Sequence, residues 1–280
     1  MSHVSSKSVT SRIVIEPTRG TFRGFQELLE YRELLFFLVW KDIKVRYKQT
    51  VIGIAWAILQ PFLTMVVFSI FFGRLAHMPS DGHPYPLFSY TALLPWQLFS
   101  YALSESANSL VSNQQLVSKV YFPRLIIPIS TVFAGLADFA AAFLVLLAMM
   151  AYFGVVPGWA ILLLPLFLAL AILTALSVGL WLAALNVKYR DVRYTIPFLT
   201  QFWLFATPIA YPLSIVPEKW RVLLGLNPMT GVVEGFRWAL LGQSQGPGLV
   251  ILVSALAVGV LLIGGLWYFR RVEATLADII

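Results

Sequence analysis

Few residues of this 280-residue chain stand in a pattern that could carry chemistry. The pentapeptide at 242–246, GQSQG, has the G-x-S-x-G spacing that presents a nucleophilic serine in hydrolases. That presentation needs a strand before the serine and a helix after it, whereas this pentapeptide is predicted to be a turn between two helices. The spacing therefore does not indicate a nucleophile.

Metal and cofactor chemistry has few candidates. His77 and His83 flank Asp81 in a segment rich in proline and glycine, where metal-ligating residue types are typical of a solvated loop, so we predict no metal site. The sequence has no G-x-x-x-x-G-K-[ST] motif, so the chain is predicted to bind neither ATP nor another cofactor. It has no cysteine, which excludes disulfides and thiolate nucleophiles.

Two carboxylates, Glu105 and Asp138, lie within long apolar runs. An unpaired charge at membrane depth is costly, so such residues are candidates for function. The alternative is structural: each carboxylate lies near an interface, pairs with a neighbouring helix or is protonated. The sequence leaves both interpretations open.

Aromatic residues are abundant, and those of two predicted helices are candidates for a transport path. They are Trp56 and Phe62 on the first helix, and Phe198, Gln201, Phe202 and Phe205 on the second. The second group follows the i, i+4, i+7 spacing of one helix face. Either the rings contact lipid and other helices, or they line a path for sugars, whose apolar faces stack on aromatic rings.

The composition is that of an integral membrane protein. Apolar residues make up 59% of the chain and charged residues 12%, about half of the usual soluble share. The mean hydropathy is +0.80. The net charge of +7 does not indicate nucleic-acid binding, because the basic residues follow the loops between apolar runs.

These apolar runs predict an all-α membrane protein with six transmembrane helices. About 20 apolar residues cross the ~30 Å hydrocarbon core. Residues 125–187 are too long for one span, and the turn GVVPGW at 154–159 divides them. The six predicted spans are about 51–73, 88–111, 125–153, 160–187, 194–211 and 249–269.

The chain before the spans has two parts. Residues 1–20 are rich in serine and threonine and are predicted to be a disordered cytoplasmic tail. Residues 21–40 carry apolar side chains at helical spacing, which predicts an amphipathic helix in the membrane interface. The alternative is a soluble helix packed on a partner. Residues 41–280 are predicted to form the transmembrane domain.

Residues 212–248, before the last span, are divided by prolines into two short helical pieces, about 218–226 and 229–241. Irregular backbone at membrane depth is tolerated only against protein or a water-filled cavity, which predicts a re-entrant helical pair. In the second piece Glu234 and Arg237 have the i, i+3 spacing of an ion pair. Gly231 and Gly235 have the small-xxx-small spacing of close helix contact.

The basic residues define an orientation. Six spans place sixteen of the twenty Lys and Arg residues on the side of the termini and four on the other. Because Lys and Arg flanking a span are held on the cytoplasmic side, this asymmetry predicts that both termini are cytoplasmic.

Six stretches, taken together and in order, resemble the membrane subunit of type-two ABC exporters that move O-antigen, capsular or teichoic-acid polymers. They are VWKDIKVRYKQTVIGIAWAILQP (39–61), SYTALLPWQLFS (89–100), SKVYFPRLIIP (118–128), NVKYRDV (186–192), TPIAYP (207–212) and NPMTGVVEGFRWALLG (227–242). The resemblance implies a homodimer in the bacterial inner membrane, with two copies of a separate ATPase that binds ATP and Mg²⁺. It also implies a lipid-linked polysaccharide substrate, a channel formed largely by spans 1 and 5, and no nucleic-acid partner.

The same resemblance implies that the interfacial helix and the loop after span 2 contact the ATPase. That loop ends in a cationic and aromatic cluster of the kind that anchors interfaces. The candidate coupling residues are Arg32, Glu33, Lys119, Tyr121, Phe122 and Arg124.

Other functions stay open at this point. The first is an ABC permease for a smaller substrate. The second is an ion-coupled secondary transporter, which would need coupling carboxylates in broken spans and an inverted repeat. The sequence offers two lone carboxylates and no repeat. A membrane-embedded lipid or sugar transferase lacks its paired acidic motif.

Overall fold

Every regular element in the described part of the chain is helical, which confirms the all-α class. The structure is a computed structural model that describes residues 29–48, 53–242, 246 and 248–273. The predicted tail at 1–20 and the start of the predicted interfacial helix at 21–28 lie outside the described residues.

The helices are numbered here in chain order. They are α1 Arg32–Lys48, α2 Ile54–Phe68, α3 Tyr85–Ser112, α4 Gln114–Lys119, α5 Ile126–Phe153, α6 Leu164–Lys188, α7 Val192–Ala206, α8 Glu218–Leu224, α9 Pro228–Leu241 and α10 Gly248–Glu273. A π-helical stretch, Ser69–Leu75, continues α2, and 3₁₀ turns occupy Trp159–Leu163 and Leu213–Ile215. The two ends of the bundle are called the Asn113 end, where α3 finishes and α5 begins, and the Gly154 end.

Four helices in the described residues are long and apolar enough to cross a membrane: Ala55–Leu75, Ile126–Phe153, Trp159–Lys188 and Gly248–Glu273. They coincide with four of the predicted spans. The two others fall on α3 and α7. α3 has 28 residues but carries many polar side chains, and the 15 residues of α7 extend only about 22 Å.

α3 is the central helix of the bundle. It packs against α2, α5, α6, α7 and α9. Ten consecutive residues, from Leu87 to Trp96, are buried, so this helix meets protein on all sides. A helix enclosed in this way does not have to present apolar side chains to lipid, which accounts for its polar composition.

Two predictions about glycines are confirmed. Gly154 ends α5 in the left-handed conformation, with φ of 69°, and this is the turn predicted between two spans. On α9, a Cβ at Gly231 would lie 2.5 Å from the Ser254 hydroxyl, and one at Gly235 would overlap the Phe167 ring. The two glycines therefore let α9 approach α10 and α6 closely.

The end of α7 differs from its prediction. We predicted a span to residue 211, but the helix ends at Ala206, with Pro197 inside it. The residue before a proline is restricted to extended conformations, and Thr207 is extended at ψ 139°. Pro208 therefore helps to end the helix instead of bending it.

Two further boundaries needed correction. The first helix continues through Trp40 to Lys48, so the basic residues Lys41, Lys44, Arg46 and Lys48 are part of it. The sequence after Ser112 was predicted to be a loop, but it contains the short helix α4. The two helices meet in a common apolar cluster, which contains Leu38 of α1 and Val117 of α4.

Candidate transport path and coupling surface

α7 presents its predicted aromatic stripe away from the rest of the chain. Phe198, Phe202 and Phe205 are exposed, as is Gln201. The opposite face is fixed by Trp203, whose ring contacts Phe99 of α3 edge-on at 5.0 Å between centroids. This anchoring sets the rotation of α7 and leaves the stripe exposed, with no covering helix among the described residues.

The candidate residues of α2 are exposed as well. Trp56 and Phe62 lie on the outer side of α2, whose other side packs against α3 and α5. Just before α2, Gly53 has a φ of 43°, which breaks the helix there. All six candidate path residues are thus exposed, and the described residues of one chain do not enclose them.

The segment after α7, residues 206–211, is held by side chains from two other helices. Arg237 of α9 donates to the carbonyls of Pro208, Ile209 and Tyr211, at 2.7, 2.8 and 3.3 Å. Tyr85 of α3 donates to the carbonyl of Ala210 at 2.7 Å. Buried backbone without helical bonds requires such partners, which is why a non-helical segment is stable here.

Asn227 completes these contacts at the start of the segment. Its amide donates to the carbonyl of Ala206 at 3.2 Å and to the hydroxyl of Thr207 at 3.0 Å. Its oxygen accepts from Trp203 at 2.7 Å and from the backbone N–H of Met229 at the start of α9. One side chain therefore joins the end of α7 to the N-terminus of α9.

Arg237 is fully buried, which is unusual for arginine. It donates to Glu234 at 3.0 Å, which confirms the predicted i, i+3 pair, and its guanidinium lies 3.6 Å from the centre of the Phe88 ring. The cation is compensated by a carboxylate, three carbonyls and an aromatic face. This geometry fixes the end of α7 against α3 and α9.

The two carboxylates in the apolar runs have different surroundings. Asp138 accepts hydrogen bonds from Arg46 and Tyr47 of α1, so the structural interpretation applies to it. Burial and this hydrogen bond raise the pKa of Tyr47 to about 12, so its hydroxyl stays protonated and donates. Glu105, on α3, is exposed in the single chain and close enough to Arg46 to interact electrostatically.

The predicted coupling residues do not all reach the surface. Arg32, Glu33 and Lys119 are exposed, and so is Tyr121, with 69% of its surface accessible. The prediction that Phe122 contacts the ATPase is wrong. Phe122 is 6% exposed and packs in the apolar cluster at the Asn113 end, where it cannot touch a partner directly.

Arg124 is also engaged within the chain. Its guanidinium donates to the carbonyl of Glu273 at 2.6 Å, and its N–H donates to the Glu273 carboxylate. These two hydrogen bonds fix the start of α5 against the end of α10. Arg124 and Phe122 thus position the loop on which Tyr121 is exposed.

The remaining chemical candidates are the GQSQG pentapeptide and the loop that contains His77, Asp81 and His83. Gly242 ends α9 with φ of 71°, and Ser244 of the pentapeptide lies outside the described residues. Asp81 accepts a hydrogen bond from Ser214 at 2.7 Å. Within the described ranges, no group of three or more His, Cys, Asp or Glu residues is arranged to hold a metal ion.

Comparison with known proteins decides the family. The sequence profile of ABC-2 type transporters matches residues 33–241, about three quarters of the chain. The chain belongs to the ABC-2 type transporter family. This confirms the resemblance predicted from the six ordered stretches, and it makes the chain a multi-pass membrane subunit and not a catalytic one.

Individual members of the ABC-2 transporter family are similar along most of their length. An O-antigen export system permease protein RfbA from Myxococcus xanthus is 31% identical over 86% of this chain and 92% of its own. An RfbA from Klebsiella pneumoniae is 28% identical over 73% and 79%. The polysialic acid transport protein KpsM of Escherichia coli is 27% identical over 91% and 98%.

Some functional contacts were not predicted from the sequence. The contacts of Tyr85 and Asn227 with the 206–211 segment join parts of the chain that are far apart, and neither residue has a motif. One signal was present: Arg237 is the one basic residue between Met229 and Leu241, an apolar setting in which a charge requires partners. The prolines at 208 and 212 similarly indicate carbonyls without helical bonds.

Proposed function

We propose that this chain is the channel-forming membrane subunit of an ATP-driven exporter of lipid-linked polysaccharide in the bacterial inner membrane. The observation that carries the proposal is its similarity, over 86% and 91% of the chain, to an O-antigen permease and a polysialic acid transport protein. A hydrated polymer cannot cross hydrocarbon, so its passage requires an enclosed path.

The path is formed between two copies of the chain. In one copy Trp56, Phe62 and the α7 stripe of Phe198, Gln201, Phe202 and Phe205 are exposed, and a homodimer encloses them. Aromatic rings stack on the apolar faces of sugars, and the amide of Gln201 can bind hydroxyls. Binding of this kind is weak enough to release a moving polymer.

The topology of the proposal has six spans with both termini cytoplasmic. α2, α3, α5, α6 and α10 cross the membrane, and the fifth crossing consists of α7 and the 206–211 segment. The Asn113 end is then cytoplasmic, and α8 and α9 form a re-entrant pair at the outer mouth. The support is the distribution of Lys and Arg, which are concentrated at the Asn113 end.

Cysteine labelling tests this topology without background, because the chain has no natural cysteine. A single cysteine at Ser80 is expected to react with a membrane-impermeant maleimide added to intact cells. A single cysteine at Gln115 is expected to react only after the membrane is permeabilised. Labelling of Gln115 in intact cells would contradict the topology.

A separate ATPase supplies the energy. The chain has no phosphate-binding loop, so ATP and Mg²⁺ are bound by the partner, of which two copies dock on the Asn113 end of the dimer. Arg32 and Glu33 of α1, with Lys119 and Tyr121, form the exposed docking surface. Phe122 and Arg124 hold the loop in position beneath it.

Co-purification with the neighbouring ATPase tests the function and this docking surface together. We expect the wild-type subunit to retain the ATPase and Tyr121→Ala to reduce its recovery roughly tenfold, since an exposed tyrosine is a typical interface anchor. Tyr152→Ala, which removes an even more exposed ring at the Gly154 end, is the control and should retain the ATPase. Equal recovery with Tyr121→Ala, or none with the wild type, would contradict the proposal.

A further inference from the structure

Asp138 lies about three turns inside α5 and binds two polar side chains near the end of α1. Its two carboxylate oxygens accept separately, one from Arg46 and the other from Tyr47. A charged pair at this depth is costly to separate, because either partner alone would leave an uncompensated charge. The contact therefore links α1 firmly to the middle of α5.

The same arginine also contacts α3. The Arg46 guanidinium lies 4.0 Å from the centre of the Tyr101 ring, within the range of a cation–π interaction. Tyr101 fits against α5 because residue 135 is glycine: a Cβ there would lie 2.7 Å from the ring. Arg46, Tyr47, Tyr101 and Asp138 are called here the Asp138 cluster, and it joins α1, α3 and α5.

α1 has a free surface at its other end. Arg32 and Glu33, in its first turn, are exposed on the proposed ATPase-docking surface. In its middle, Leu38 is buried in the apolar cluster at the Asn113 end, and Lys41 donates to Asn113 at 3.2 Å. α1 therefore extends from the docking surface to the Asp138 cluster as one continuous helix.

The described backbone between α1 and the first span includes a non-helical residue, Gly53. α1 ends at Lys48, and Gly53 has a non-helical conformation before α2 begins. A displacement of α1 reaches α3 and α5 through side-chain bonds without crossing this break. α3 then contacts α7 through Phe99 and Trp203, and α7 carries the aromatic stripe.

We infer that the Asp138 cluster transmits ATPase-driven movement of α1 to α3 and α5, and through α3 to the aromatic stripe of α7. This inference rests on the proposed function, since it requires an ATPase docked on α1. Arg46, Tyr47 and Asp138 act as positioning residues: they touch neither nucleotide nor polymer.

The test separates transmission from folding by measuring ATP hydrolysis and channel response on the same purified complex. A single cysteine replaces Phe202, and its rate of reaction with a maleimide is measured with and without ATP. We expect ATP to change this rate in the parent complex. In the Asp138→Asn variant, hydrolysis should remain within about twofold while the ATP-dependent change falls about tenfold, a typical size for coupling between sites.

Two variants serve as controls. Asp42→Asn makes the same chemical change on α1, but Asp42 pairs with its neighbour Lys41 at 3.3 Å and forms no ion pair with another helix in the described part of the chain, so the ATP effect should be retained. The double variant Arg46→Gln/Asp138→Asn removes both charges. If the pair acts as a unit, the ATP-dependent change in labelling rate in the double variant should be no smaller than in the Asp138→Asn single variant.

Three results would overturn the inference. The first is an unchanged effect of ATP on the labelling rate in Asp138→Asn. The second is loss of the ATPase from that variant, which would show that the cluster is needed for folding. The third is no effect of ATP in the parent complex. The readout needs no polymer. An ATP effect that depends on Asp138, together with no export of polysaccharide, would therefore support the cluster and contradict the proposed function instead.

Discussion

Replacement of Arg237 by methionine is expected to prevent accumulation of the folded subunit. The change leaves the carbonyls of Pro208, Ile209 and Tyr211 without their donor and the Glu234 carboxylate buried without its cation. Breaking a buried pair from one side costs about 3–5 kcal/mol. That is a large share of the stability of most proteins, so the membrane content and the thermal midpoint in detergent should both fall.

Two further variants identify the cause of this loss. Arg221→Met removes an arginine of α8 that also donates to two carbonyls, but at a partly exposed site, so it should accumulate nearly as the wild type. The double variant Glu234→Gln/Arg237→Met should be no less stable than Arg237→Met, because it removes the unpaired carboxylate. Wild-type accumulation of Arg237→Met would show that the 206–211 segment does not depend on the guanidinium.

Loss of the aromatic stripe should impair export without affecting the fold. Phe202 and Phe205 are exposed in the single chain, so truncating them creates no cavity in the core. If each ring contributes about 0.5–1.5 kcal/mol to contacts with the moving polymer, the variant Phe202→Ala/Phe205→Ala should export roughly tenfold more slowly or leak. The measurement is the amount of polymer transferred at equal protein level.

The matched control for the stripe is Phe133→Ala. Phe133 is an exposed phenylalanine of α5, outside the proposed path, and its loss should leave export unchanged. If the α7 rings contact lipid instead, the alanine variants should have almost no effect on export and the leucine variants should have none. Crosslinking between copies gives an independent answer, since cysteines at Phe202 should react with each other and cysteines at Leu204, on the packed side of α7, should not.

Sequence patterns predicted the parts of the molecule that depend on local composition. The apolar runs of α5, α6 and α10 are long because they face lipid or other helices, and Gly154 ends α5 because the left-handed backbone there favours glycine. The i, i+4, i+7 spacing placed Phe198, Phe202 and Phe205 on one face of α7, and that face is exposed. These features can be predicted without knowing which other helices each helix contacts.

Contacts between distant parts of the chain could not be predicted in the same way. α7 was predicted to be too long because residues 207–211 are apolar, although their carbonyls are bound by Arg237 and Tyr85 instead of by helical N–H groups. Phe122 was predicted to contact a partner because it belongs to the cationic and aromatic cluster that ends the loop, yet it is buried, whereas Tyr121 is exposed. Only the packing of α10 and α5 distinguishes them.

The proposed export function is tested by reconstituting the subunit with its neighbouring ATPase in sealed vesicles that carry lipid-linked polysaccharide in their outer leaflet. The ATPase faces the medium, and the protected or exposed location of the polymer is read with a glycosidase that cannot cross the membrane. If the chain is the channel of an ATP-driven exporter, ATP should drive transfer of the polymer across the bilayer, and this transfer should be lost when the ATPase cannot hydrolyse ATP and slowed by Phe202→Ala/Phe205→Ala. Transfer that is absent, or that proceeds equally without ATP, would contradict the proposed function.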